Sequence, residues 1–246
     1  MMIKAVIFDK DGTLIELGKT WDLPTVKMIK DILADTNLTD LEKDQVAFSM
    51  GINKDWTGIK ANSIFAAGSI LDQAQYIQPY LKQDVQTIED RMEAAYLKYL
   101  SMDNLSATLA PGTVQTLEQL SQDYIIALVT NDSYIFAEKM LKELKIFHYF
   151  DFIACADQYG PKPNPSALYE LAKRFNIKLS EMIYIGDSSL DMIYAQHTRA
   201  GIGYLENEDS HQHLDQADYL IDHMTQLIDI IDKINKEDEG AEECIP

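Results

Sequence analysis

Short apolar runs punctuate this chain, and they restrict its fold more than any other feature of the sequence. Residues 3–8, 124–129, 152–156 and 182–185 are mostly apolar and too short to be helices, so they read as buried strands. From Thr113 onward such runs alternate with helical patterns. Val114, Leu117 and Leu120 mark one helix, and a second runs to about residue 144. Asn164 followed by Pro165 opens a third, because a capping residue before a first-turn proline is a favoured start. A fourth extends to about residue 199, and short strands near 201–204 and 219–221 precede a helix over about 224–234. Alternation of this kind implies an α/β, Rossmann-like parallel sheet with helices on both faces.

Residues 16–109 contain no convincing strand and read as an all-helical insertion after the first strand. Val26, Ile29 and Leu33 fall at helical spacing within 21–35. Thr39 and Glu42 are spaced as a capping box at the start of a second helix. Ile70, Leu71, Ala74 and Ile77 predict a third, ended by Pro79. Asp84 caps a fourth, with Val85, Ile88, Met92, Ala95 and Tyr99 along one face. Asp103-Asn104 and Ala110-Pro111-Gly112 read as the return linker. The expected division is a discontinuous core of residues 1–15 and 110–236, an insertion of 16–109, and an acidic tail of 237–246 without regular structure.

Composition narrows the function. The formal net charge is -19, from 40 acidic and 21 basic residues. Such a surface repels nucleic acid and anionic lipid, so neither is expected as a partner. It also repels anionic substrates, so a phosphorylated ligand would need local positive charge from a metal or a lysine. Neither a signal peptide nor a membrane-spanning run is evident, which makes a cytoplasmic location the expectation. Cys155 lies in an apolar run and Cys244 near the end, a placement that does not suggest a disulfide framework. Cys244 is also third from the end, which does not fit a prenylation signal.

Polar residues gather at the strand ends. Asp9 and Asp11 follow the first strand one residue apart, so in an extended chain they face the same space while Lys10 points away. Gly12 lets the backbone turn sharply. Ligands of parallel sheets bind beyond the carboxyl ends of the strands. Two carboxylates there can hold a hard cation and leave an oxygen to attack an electrophile. Thr130 and Asn131 end the second strand at a helix start, which is either an anion site or an ordinary helix cap. Lys162 lies in Gly160-Pro161-Lys162-Pro163-Asn164-Pro165, where the prolines stiffen the loop and fix the position of its charge. Asp187 ends the fourth strand, and Asp191 falls in the first turn of the next helix, where the dipole favours a carboxylate and a capping role explains it equally well. His211 and His213 lie in a polar stretch and read as a solvated loop, and Trp21 and Trp56 read as core.

Four motifs occur in order: Phe8-Asp9-Lys10-Asp11-Gly12-Thr13-Leu14, Thr130-Asn131, Lys162 in its proline loop, and Gly186-Asp187-Ser188-Ser189-Leu190-Asp191. As an ordered set they resemble the haloacid dehalogenase superfamily of phosphohydrolases, and among its members phosphoglycolate phosphatase and its relatives. The helical insertion resembles that family's cap. The resemblance implies hydrolysis of a small phosphorylated metabolite, with 2-phosphoglycolate as the first candidate. Asp9 would attack phosphorus, and Asp11 would serve as acid and then base. Mg²⁺ would be held by Asp9, the Asp11 carbonyl and Asp187, with Asp191 in support. Thr130, Asn131 and Lys162 would bind the phosphoryl oxygens. An ordinary carboxylate, with a pKa of about 3.9, would need no activating base. Met50-Gly51-Ile52-Asn53-Lys54 loosely resembles the sequence around the Schiff-base lysine of phosphonoacetaldehyde hydrolases, so Lys54 is a candidate substrate contact in the cap. Those enzymes lack the second aspartate that this chain has. A sugar-phosphate mutase would keep both aspartates and is not distinguished by motif, and a non-catalytic phosphate-binding protein is a further alternative.

Overall fold

The computed structural model describes residues 2–102, 107–206 and 208–242. In chain order, β1 (Ala5–Phe8) is followed by five helices, α1 (Leu17–Ala34), α2 (Asp40–Met50), α3 (Ile64–Ala67), α4 (Ile70–Ile77) and α5 (Val85–Met102). The alternating part then runs α6 (Thr113–Leu120), β2 (Ile125–Thr130), α7 (Tyr134–Glu143), β3 (Phe152–Cys155), α8 (Ala156–Tyr159), α9 (Ser166–Phe175), β4 (Met182–Gly186), α10 (Ser189–Ala195), β5 (Ala200–Tyr204), β6 (Tyr219–Ile221) and α11 (Gln226–Glu242). All six strands are parallel, in the order β3-β2-β1-β4-β5-β6.

The alternation of strand side chains builds a core on each face of the sheet. Val6 and Phe8 of β1 pack with Ile126, Leu128 and Ile183 against Leu117 of α6, Met140 of α7 and Leu227 of α11. Ala5 and Ile7 face the other way, with Ala127, Met182 and Tyr184, against Leu168 and Leu171 of α9 and Tyr194 of α10. A strand buried on both sides carries no polar face, which is why these segments read as continuous apolar runs.

The inserted helices start where local signals place them. Thr39 and Glu42 form the capping box of α2, and Ser69 and Asp72 form another at α4. Asp84 Oδ1 accepts from Thr87 N–H at 3.0 Å, as a cap does. α4 gives way at Ile77 to a 3-10 turn that contains Pro79. The face of α5 is broader than expected, because Tyr96 and Leu100 are buried alongside Ile88 and Met92. The single turn α3, capped by Ser63, had no periodicity to announce it.

Several boundaries differ from expectation. α9 begins at Ser166 with Pro165, not Asn164, at the N-cap position, and Asn164 Oδ1 accepts from Ser166 N–H at 3.0 Å. α10 stops at Ala195 rather than near residue 199, because Thr198 Oγ1 caps the Ala195 carbonyl at 2.7 Å and Arg199 N–H already bonds the Met182 carbonyl at 2.8 Å. α11 continues through the acidic segment to Glu242 instead of ending near residue 234. Lys and Glu are good helix formers, and Lys233 pairs with Glu237 one turn on. Asp103-Asn104 and Cys244 lie outside the described residues. Among the described residues no helix is long and apolar enough to cross a membrane.

Candidate active site

The sheet order makes β2, β1 and β4 neighbours, so Thr130, Asp9 and Asp187 emerge side by side at one edge of the sheet. Asp9, Asp11, Thr130, Asn131, Lys162, Asp187 and Asp191 all line one small cavity of about 50 Å³. The inserted helices cover it, and Trp21, Phe65, Gln73 and Tyr96 line that side.

Three carboxylates converge there. Oxygens of Asp9, Asp187 and Asp191 lie within 4.8 Å of one another, the only such group of metal-capable side chains among the described residues. Two glycines make this possible. A Cβ on Gly12, which has φ +82°, would lie 2.3 Å from Asp187 Oδ2, and one on Gly186 would lie 2.2 Å from the Asp191 Cβ. Thr13 Oγ1 donates to Asp187 Oδ1 at 3.0 Å and fixes its orientation. Asp191 closes the capping box of α10, accepting from Ser188 N–H at 3.0 Å and from Ser188 Oγ at 2.6 Å. Its other oxygen meets Lys162, so one side chain caps the helix and also belongs to the cluster.

Lys162 is the cation at the centre. Its Nζ donates to Asp9 Oδ1 at 2.6 Å, Asp191 Oδ1 at 2.7 Å and Tyr184 OH at 3.2 Å. Its backbone N–H donates to Asn131 Oδ1 at 2.8 Å, while Asn131 Nδ2 donates to the Ala67 carbonyl of α3 at 2.7 Å. Asn131 therefore ties the lysine loop to the inserted helices. Thr130 Oγ1 is held in the turn by Asp132 N–H at 3.2 Å. The first N–H of α7, on Tyr134, is taken by Asp157 at 3.1 Å, which narrows the anion site expected at that helix start.

Burial changes the charges. It pushes the Asp9 carboxyl up to about 7, against the pull of Lys162 and with a further push from Asp191. Without a metal, Asp9 therefore departs from the ordinary carboxylate that the sequence leads one to expect. Asp187 is raised well above the usual carboxylate range, first by burial and then by Asp191 and Asp9. Asp191 is also desolvated, but Lys162 and the Ser188 hydrogen bonds together hold it below its ordinary value.

Asp11 faces the cavity with Asp9, as the alternation predicts, but its side chain is not one of the three clustered carboxylates. Trp21 Nε1 donates to its Oδ1 at 2.6 Å, and Lys10 Nζ lies 2.5 Å from its Oδ2. Lys10 does turn away from Asp9, yet into the protein rather than solvent. Its ammonium is completely buried, 2.9 Å from Asp132 Oδ2 and stacked 5.4 Å over the Trp21 ring. Lys10, Asp132 and Trp21 were the site residues missed. The one available signal was a charged residue between two aspartates at the end of an apolar strand.

Lys54 is exposed in a loop of the insertion and does not line the cavity. Trp56 packs within the insertion, donating to Asp44 Oδ1 at 3.2 Å. Cys155 is buried, which raises its thiol pKa.

Hard oxygen donors held this close together are a fitting set for Mg²⁺. The cluster fits a divalent ion on its own chemistry.

Residues 3–197 match the family model described as "haloacid dehalogenase-like hydrolase". A phosphoglycolate phosphatase of Vibrio parahaemolyticus serotype O3:K6 is 26% identical over 235 residues, covering 93% of this chain and 96% of the relative. The crystal structure of a predicted phosphoglycolate phosphatase from Haemophilus somnus 129pt superposes with a TM-score of 0.64 at 22% identity, covering 94% of this chain and 98% of the other. A predicted phosphatase from Clostridium acetobutylicum gives a TM-score of 0.66 at 20% identity, covering 95% and 100%. At these identities the two structures establish a shared fold.

Proposed function

Because this chain belongs to the haloacid dehalogenase-like hydrolases, we propose that it is a Mg²⁺-dependent phosphatase acting on a small phosphate monoester. The observation that carries the reading is Lys162 Nζ, 2.6 Å from Asp9 and 2.7 Å from Asp191, beside three carboxylates within 4.8 Å of one another. That arrangement supports the reading of Asp9 as nucleophile, Lys162 as phosphate-binding cation and the carboxylates as a metal-binding set around one cavity.

Asp9, Asp187 and Asp191 would hold the ion, together with the Asp11 backbone carbonyl. When bound, it neutralises charge on the phosphoryl oxygens and on the crowded carboxylates. An oxygen of Asp9 attacks phosphorus as the bond to the ester oxygen breaks, and Asp11 gives its proton to the leaving alkoxide. Asp11 then takes a proton from water as that water attacks the aspartyl-phosphate, which releases phosphate and restores Asp9. Lys162 holds the phosphoryl oxygens and offsets their repulsion of Asp9, with Thr130 and the Asn131 backbone as further donors. The inserted helices act as the cap, excluding bulk water from the reacting atoms. Lys54, exposed and away from the cavity, lends no support to Schiff-base chemistry.

Phosphate release from a panel of small esters tests this reading, run with Mg²⁺, with EDTA and with Asp9→Asn. The reference ester is 2-phosphoglycolate, the substrate that the relatives' names give. Release that depends on Mg²⁺ and disappears in the variant is expected. Undiminished release by Asp9→Asn, with reversion to aspartate excluded, would refute the proposed nucleophile.

A further inference from the structure

The two walls of the cavity differ in chemistry. The sheet side carries five carboxylates, Asp9, Asp11, Asp132, Asp187 and Asp191, and one ammonium, Lys162. That ammonium is already engaged with Asp9 and Asp191. The wall from the inserted helices is apolar at Trp21, Phe65 and Ile70, and neutral but hydrogen-bonding at Asn62, Gln73 and Tyr96. Among the residues whose side chains are described, no lysine or arginine of the insertion lines it. Tyr96 OH donates to Gln73 Oε1 at 3.2 Å, which holds both groups in place; both residues are buried.

Phosphate binds at the sheet side, so the leaving group must lie against the helical wall. A carboxylate there would lose its water, face the aspartates and find no described cation on the wall. A buried charge without a partner is among the costliest arrangements in a protein. A neutral group with hydroxyls meets complementary surroundings instead, with carbon against Phe65 and Ile70 and oxygen toward Asn62 and Gln73. We propose that the substrate's leaving group is a small neutral alcohol or polyol and not a hydroxy acid. This rests on the phosphatase reading above and departs from the substrate in the relatives' names.

The test is a matched pair of esters. In 2-hydroxyethyl phosphate a CH₂OH replaces the carboxylate of 2-phosphoglycolate at nearly the same size. With the full chain and Mg²⁺, kcat/KM should favour 2-hydroxyethyl phosphate by about tenfold or more, since an uncompensated buried charge is worth at least that factor. Glycerol phosphate should also outperform 2-phosphoglycolate. Ala66→Lys places an ammonium on the helical wall and should shift the ratio toward 2-phosphoglycolate by about tenfold. Equal rates, or a preference for 2-phosphoglycolate in the unmodified chain, would overturn the inference and leave the phosphatase reading standing. No phosphate release from any ester would remove both.

Discussion

Lys10 Nζ lies 2.5 Å from Asp11 Oδ2, an ion pair between sequence neighbours in which the lysine is fully buried and the aspartate lines the cavity. The same ammonium reaches Asp132 at 2.9 Å, so one lysine balances two carboxylates from different strand ends. Acidic neighbours raise its pKa despite burial, which keeps it charged.

Replacing Lys10 with Met should cost about 2–4 kcal/mol, because it leaves two largely desolvated carboxylates without their cation. Urea unfolding measures this directly. Lys10→Met/Asp132→Asn should recover part of the loss, since one of the stranded charges is removed. A single variant as stable as the parent would show that the pair is not structurally important.

Asn131→Ala removes the acceptor for Lys162 N–H and the donor to the Ala67 carbonyl. Each lost hydrogen bond is worth about 1 kcal/mol, so stability should fall by about 1–3 kcal/mol. The variant should also hold the inserted helices less firmly, seen as faster amide exchange in α3. Unchanged exchange there would mean that closure depends on the apolar contacts alone.

Asp191 serves both the α10 cap and the carboxylate cluster, and two substitutions separate these roles. Asp191→Asn keeps a carbonyl oxygen for Ser188, so helix stability should largely persist while Mg²⁺ affinity drops about 10- to 100-fold. Asp191→Ala should lose the cap as well, about 1 kcal/mol more. Calorimetric titration with Mg²⁺ beside thermal melts reads the two effects. Parental affinity in Asp191→Asn would confine the residue to capping.

Without metal, the chain should become less stable as pH rises from about 4 to about 7. Burial raises Asp9 from 3.8 to about 7 and Asp132 to about 6, and raises Asp187 as well. A carboxyl raised in the folded state favours folding while protonated. Its contribution is complete below the unfolded pKa and is lost as pH passes the folded one. Melts in EDTA at pH 5, 6 and 7 should therefore show falling midpoints, and Mg²⁺ should restore stability most at pH 7. Midpoints that rise over this range in EDTA would contradict the assigned burial.

The sequence carried whatever a short stretch of chain decides by itself. Apolar runs located the strands, because a strand covered on both faces must be apolar throughout. The Thr39–Glu42 capping box works over three residues, so its spacing placed the start of α2. Asp9, Thr130 and Asp187 were legible because each ends an apolar run, and the sheet order then set them side by side. Other features join parts of the chain that are far apart. Lys162 meets Asp9 across 153 positions, Asn131 reaches Ala67 across 64, and Lys10 finds Asp132 only after β1 and β2 pair. Trp21 reads as a core residue by composition, and only closure of the insertion brings its indole N–H onto Asp11. The raised Asp9 pKa has the same origin, because desolvation is a property of the assembled cavity. Periodicity and capping act over a turn or two, whereas ion pairing and burial depend on which distant surfaces the folded chain presses together.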